Sequence, residues 1–205
     1  YLDDFGVESH RVESPDGKKS NLYASIGPEE PGGVVLSGHT DVVPTDGQDW
    51  HTDPFMPEIK DGKLLGRGTC DMKGFIGTAL SLIPEMKSLE KPIHFALSYD
   101  EEIGCKGAPS MIAEIVDKLP PPQAVIVGEP TGMEAITGHK GMVTLKTAVQ
   151  GHEAHSSQIH RGVSAVMTAA TLVTKLNAMT QELAAATDTA TGFEPHHSTI
   201  HVGII

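Results

Sequence analysis

Cysteine and positive charge are both scarce in this chain, and each shortage excludes something. Two cysteines, Cys70 and Cys105, among 205 residues cannot frame a disulfide-stapled fold, and their use fits a reducing cytoplasm. Lysine and arginine number 15 against 27 aspartates and glutamates, a net charge of −12 that argues against nucleic acid or an anionic membrane as partner. No apolar run is long enough to span a bilayer, and no leader pattern, internal repeat or low-complexity tract is visible. The length allows one domain or one and a half, ample for a core.

What the chain does have is a set of acidic and histidine clusters, each just beyond a short apolar run. Val34, Val35 and Leu36 read as a strand that ends in Ser37-Gly38 and then His39-Thr40-Asp41-Val42-Val43-Pro44. His39 is of the commonest metal-ligand type. Asp41, two residues on in extended chain, projects to the same side and can hold the second ring nitrogen. A second strand, Lys63 to Leu65, enters Gly66-Arg67-Gly68-Thr69-Cys70-Asp71-Met72-Lys73-Gly74, and an apolar helix is expected over residues 72–89. The third cluster, Asp100-Glu101-Glu102, follows a strand over residues 93–99; Gly104, Gly107 and a helix come next. The fourth, Gly128-Glu129-Pro130-Thr131, follows Ala124-Val125-Ile126-Val127. Ligand sites in open α/β sheets form outside the carboxyl ends of the strands, where all four clusters fall.

Each cluster alone has a bland explanation. Asp71 at a helix start reads equally as a cap, adjacent acids as a solvated turn, and His39 as a surface histidine. Four strand ends finishing in His, Asp or Glu are harder to explain that way, and together they point to a metal. One histidine with several carboxylates and no cysteine cluster suits catalytic zinc, manganese or cobalt rather than a closed structural zinc site. So many carboxylates balance two divalent ions sharing a bridging carboxylate better than one. Adjacent glutamates can then divide labour between ligand and general base, and the chemistry is hydrolysis of a polarised carbonyl.

These residues carry a resemblance. His39-Thr40-Asp41-Val42-Val43-Pro44, Trp50 with Asp53-Pro54-Phe55, Gly66-Arg67-Gly68, Asp71-Met72-Lys73-Gly74, Asp100-Glu101-Glu102 and Gly128-Glu129-Pro130-Thr131 occur in order. In this the chain resembles the superfamily of zinc-dependent aminoacylases and exopeptidases that includes acetylornithine deacetylase, succinyl-diaminopimelate desuccinylase and the glutamate carboxypeptidases. The resemblance implies two zinc ions, with cobalt as a possible substitute: His39 and Glu129 on one, Glu102 on the other, and Asp71 bridging. It makes Glu101 the general base and Asp41 the partner of His39. Thr69 to Phe75, Ile103-Gly104-Cys105-Lys106-Gly107 and Gly138-His139-Lys140-Gly141 are most similar to the acetylornithine deacetylase branch, which implies removal of an acetyl group from N-acetylornithine in arginine biosynthesis. Desuccinylase, dipeptidase or carboxypeptidase activity would share every ligand. A non-enzymatic dimerisation or binding piece would be expected to lose Glu101 or a ligand, and none is lost here.

Beyond the clusters, Val143, Leu145, Thr147 and Val149 alternate with polar or small residues and predict a strand. A long helix is expected over residues 163–186, with Val163, Val166, Met167, Ala170, Val173 and Leu176 forming a core face, then a polar loop over residues 187–197 and a strand over residues 198–205. The resemblance places His155 in a smaller lid and dimerisation domain, where it donates to the oxyanion in a partner subunit's site; His152 and His160 read as surface residues. Lys140 and Arg161 are candidates for the substrate carboxylate, with solvated turn charges as the equal alternative. The expected fold is α/β: a catalytic domain with a central sheet flanked by helices (residues 1–141, its N-terminal part) and an incomplete portion of an inserted α+β lid (residues 142–205). The resemblance also implies a homodimer formed through the lid. Family members continue beyond the point where this chain stops and supply a last histidine ligand there, so the expectation is a fragment inactive alone.

Overall fold

The computed structural model describes residues 1–204 and divides into two compact units, Tyr1–Glu134 and Ala135–Ile205. In the first, five strands form one mixed sheet: β1 (Ser9–Glu13), β2 (Ser20–Ile26), β3 (Val34–His39), β6 (Ile93–Ser98) and β7 (Ala124–Val127), in the order β1-β2-β6-β3-β7. β1, β2 and β6 pair antiparallel, whereas β6, β3 and β7 run parallel. A separate small hairpin, β4 (Glu58–Lys60) and β5 (Lys63–Leu65), turns at Asp61-Gly62.

Successive side chains on a strand face opposite ways, and the two cores follow that period. On one face Ala24 and Phe95 pack with Leu2, Val7, Ala79 and Ile83, backed by Leu22, Leu36 and Ile93. On the other, Tyr23, Val35 and Ala96 pack with Met111, backed by Val12, Ile115 and Leu119. Helix α1 (Gly74–Ser81) therefore covers the first face and α2 (Ala108–Lys118) the second, giving the α/β layering the sequence predicts. α2 carries Pro109 in its first turn, where an N–H has no intrahelical partner, and stops ahead of Pro120.

Three expected elements differ. The helix expected over residues 72–89 is α1 alone, followed by a 3-10 turn at Ile83–Glu85. Pro84 lacks an N–H and its ring would strike the carbonyl four residues back, so the apolar run cannot stay helical. Residues 143–149 and 198–204 form no strand, Ile205 lying outside the described residues. Alternation specifies which face a strand would bury, but a strand exists only where another pairs with it, and none of the described residues does.

In the second unit the long helix is present as α3 (Ala165–Ala185), capped by Ser164 Oγ, which accepts from the Met167 amide at 3.2 Å. Its expected core face is not buried: Val166 and Met167 are exposed, and the partly covered stripe runs through Ala165, Ala169, Leu172, Leu176 and Leu183. An isolated two-hydrogen-bond bridge between His152 and Val163 is the β-like pairing in this unit. Among the described residues no helix is long and apolar enough to cross a membrane.

Candidate metal centre

The register of the parallel strands builds the site. β3 aligns His39 with Ser98 of β6 and Ser37 with Val127 of β7. Two residues beyond Ser37 and Val127 stand His39 and Glu129, so these side chains meet at the same level, and the Asp100–Glu102 loop leaves β6 on the other side of β3. His39 is only 1% exposed, which removes the surface reading. Its backbone N–H donates to Met72 Sδ at 3.3 Å, seating the strand end on the turn that carries Asp71.

That turn, Thr69–Lys73, is irregular: Asp71 has φ −118° and ψ 97°, and the Asp71–Met72 peptide is cis. α1 begins at Gly74 with Lys73 at its N-cap and no side-chain cap bond, so Asp71 is not a helix cap. Gly68 enters the turn at φ +83°, and a Cβ there would lie 2.6 Å from Val42 Cγ1; glycine meets both demands. Lys73 Nζ donates to the Thr40 carbonyl, tying the turn to the His39–Asp41 segment.

The donor atoms converge. Asp71 Oδ1 lies 2.9 Å and Glu129 Oε1 3.8 Å from His39 Nε2, and the three donors all fall within 4.8 Å of one another. Ligands about 2.1 Å from a tetrahedral ion stand about 3.4 Å apart, a value these separations bracket. The donor set therefore fits a divalent metal. His39 Nδ1 faces the Asp41 backbone carbonyl at 3.0 Å and the Asp41 Oδ1 at 3.5 Å. The backbone oxygen is thus its nearer partner, and the arrangement points Nε2 at the carboxylates.

Asp41 also anchors the acidic loop, because its Oδ1 and Oδ2 accept the backbone N–H groups of Glu101 and Glu102 at 3.2 and 3.1 Å. Glu101 Oε1 accepts from Cys105 Sγ at 3.4 Å. Burial, and next the charge of Asp71, push the carboxyls of Glu102 and Glu129 above the usual range. Burial by itself would lower His39, but hydrogen bonding to Asp71 and to the Asp41 carbonyl, with the nearby Glu129 charge, raises it overall. The cluster thus carries mutually repelling negative charge that a cation would relieve.

The remaining candidates, His155, Lys140 and Arg161, belong to the second unit. His155 caps a short turn, Ser156–Arg161, its Nδ1 accepting from the Ser157 amide at 3.2 Å and facing Ser157 Oγ at 2.9 Å. Lys140 Nζ donates to the Pro195 and His197 carbonyls, each at 2.7 Å, and Arg161 donates to Gln158 Oε1 at 2.9 Å. Trp50 and Arg67 form a clamp, the guanidinium 5.0 Å over the indole and both donating to Gln48 Oε1. Sequence reasoning did not single out Met72, Lys73 or Gln48, whose roles rest on partners 19 to 33 residues away.

The profile of peptidase family M20/M25/M40 matches residues 35–201. The chain is 40% identical over 164 residues to an acetylornithine deacetylase of Shigella sonnei. It is 41% identical over 165 residues to one of Klebsiella pneumoniae. Each alignment covers 79% of this chain, which spans 42% of the relative's length. Among solved structures, an M20 family metallo-carboxypeptidase from Sulfolobus solfataricus superposes with a TM-score of 0.54 at 25% identity, covering 62% of this chain and 30% of that one. Human carnosine dipeptidase 1 does so with a TM-score of 0.52 at 26% identity and the same coverage.

Proposed function

The chain belongs to peptidase family M20/M25/M40, and from that premise we propose that it carries most of the metal-binding side chains of an amide hydrolase acting on an N-acyl amino acid, N-acetylornithine foremost. The carrying observation is the convergence of His39, Asp71 and Glu129 from three distant segments onto one point. The identity to two acetylornithine deacetylases supports the choice of substrate; the likeness to a carboxypeptidase and a dipeptidase keeps those activities as the second reading.

In this proposal two zinc ions would be held, with His39 and Glu129 serving one, Glu102 the other and Asp71 both. Such an ion supplies a Lewis acid and makes a water acidic near neutral pH. Glu101 takes the proton of the attacking water and returns it to the leaving amine. Asp41 keeps His39 and the two glutamates in register. Residues 1–141 form the catalytic part and residues 142–205 the start of a dimerising lid. His155 there donates to the oxyanion in a partner subunit's site, an interaction worth about 3–4 kcal/mol, and Lys140 and Arg161 hold the substrate carboxylate.

The test is metal content and turnover of the intact protein on N-acetylornithine, N-succinyl-diaminopimelate and dipeptides, with zinc or cobalt, beside Glu101→Gln. That isosteric change is expected to keep the metal and lower kcat by about a hundred- to ten-thousand-fold. A Glu101→Gln enzyme as fast as its parent removes Glu101 from the role of base, and a wild-type protein that binds no metal removes the reading altogether.

A further inference from the structure

The nine residues from Tyr99 to Gly107 join β6 to α2 and carry the adjacent Asp100, Glu101 and Glu102. Three neighbouring carboxylates repel one another, so the loop that bears them needs outside attachments to hold one shape. Two attachments come from Lys19, just before β2, and Asn21, within it, both remote in sequence and outside the candidate centre.

The first is Asn21, which is 0% exposed. Its Oδ1 accepts the Tyr99 N–H at 3.2 Å, while its Nδ2 donates to the Gly107 carbonyl at 2.9 Å and to Ser110 Oγ at 3.2 Å. One buried amide therefore clasps both ends of the loop. The ends approach so closely that a Cβ on Gly107 would sit 2.3 Å from the Tyr99 carbonyl oxygen. The second is Lys19, whose ammonium pairs with Asp100 Oδ1; that aspartate side chain is 17% exposed against 51% for the lysine. Asp100 has φ +57°, so the chain reverses there. The acidic run is split by this reversal: the first carboxylate goes to Lys19, and the next two residues present their N–H groups to Asp41.

We propose that Asn21 and Lys19 are positioning residues for hydrolysis, clasping the Tyr99–Gly107 loop so that Glu101 and Glu102 are presented in fixed register against His39 and Asp71. This rests on the hydrolase reading above. A purely structural clasp would cost stability when broken; a positioning clasp costs turnover while the fold and substrate binding persist. Displacing a catalytic group by about 1 Å can cost about a hundredfold in rate.

The test uses the intact protein with Lys19→Met, Lys19→Arg and Asn21→Ser. Lys19 is half exposed, so Lys19→Met keeps the fold even if Asn21→Ser does not. Amide exchange on metal-free protein is expected to quicken over residues 99–107 in Lys19→Met and Asn21→Ser while β6 stays protected. Steady-state kinetics are expected to show kcat lowered about ten- to a hundredfold with KM unchanged, and Lys19→Arg is expected to restore kcat. Quickened exchange with unaltered kcat would reduce the clasp to a structural one and overturn the proposal; unaltered exchange would do the same. A wild-type protein without turnover would instead sink the hydrolase reading, and base positioning with it, whereas the exchange arm reports on the clasp in either case.

Discussion

Replacing His94 with leucine is expected to make the protein more stable, and increasingly so as the pH falls. His94 sits on β6 at 1% exposure, and neither ring nitrogen has a hydrogen-bond partner among the described residues. A neutral imidazole buried this way leaves one donor and one acceptor unmatched, each costing about 1–3 kcal/mol. Leucine is close in volume and removes both, offset by imperfect packing, so a net gain of about 2 kcal/mol is expected at pH 8. Burial also lowers the His94 pKa below its ordinary value. Between that lowered folded value and the unfolded value of about 6.5, the unfolded chain binds the extra proton, so stability falls as pH drops through this window. The leucine variant lacks that loss, and the gap between the two proteins widens below about pH 6.5. Urea unfolding of both proteins at pH 8 and pH 5.5 measures it. A gap that does not change with pH, or a variant less stable than its parent at pH 8, would show that His94 is matched and refute the reasoning.

Asp41→Asn keeps one carbonyl oxygen but sets an amide group against the second of the Glu101 and Glu102 N–H groups; a loss of about 1–3 kcal/mol in urea unfolding is expected, together with weaker metal binding by calorimetry. Zinc at about a hundred times its dissociation constant is expected to stabilise the intact protein by about 2.7 kcal/mol, read as a higher Tm that a chelator reverses. Gly68→Ala forces a side chain into a left-handed conformation against Val42 and is expected to cost about 1–2 kcal/mol or more by urea midpoint.

Much of the sheet was legible because apolar runs such as Val34–Leu36 and Ala124–Val127 stop abruptly at small or polar residues. The convergence of His39 and Glu129 was legible for a related reason: parallel strands put their carboxyl ends together, so residues just past them are neighbours however far apart in sequence. Asp71 does not follow that rule, because the strand before it belongs to the separate β4–β5 hairpin and the irregular turn ahead of α1 brings it to His39. Alternation at Val143 to Val149 names a face but not a partner, and the strand did not form. Pro84 shortened α1 through a steric rule that outranks apolar periodicity. Asn21 and Lys19 were invisible because their meaning lies in groups 78 to 89 residues away. A polar residue inside an apolar strand such as Leu22-Tyr23-Ala24 was the one signal that could have marked Asn21.

The parallel register of β6, β3 and β7 also decides when in folding an ion can be gripped. Residues 39 and 129 belong to segments that meet only after two long crossovers have closed, and non-local pairings of that kind form slowly. No early, partly folded chain presents the three donors together. An ion in the surrounding solution is therefore expected to select the finished sheet rather than nucleate it, slowing its opening more than speeding its assembly. Metal retention then serves as a gauge of whether the last strand has docked.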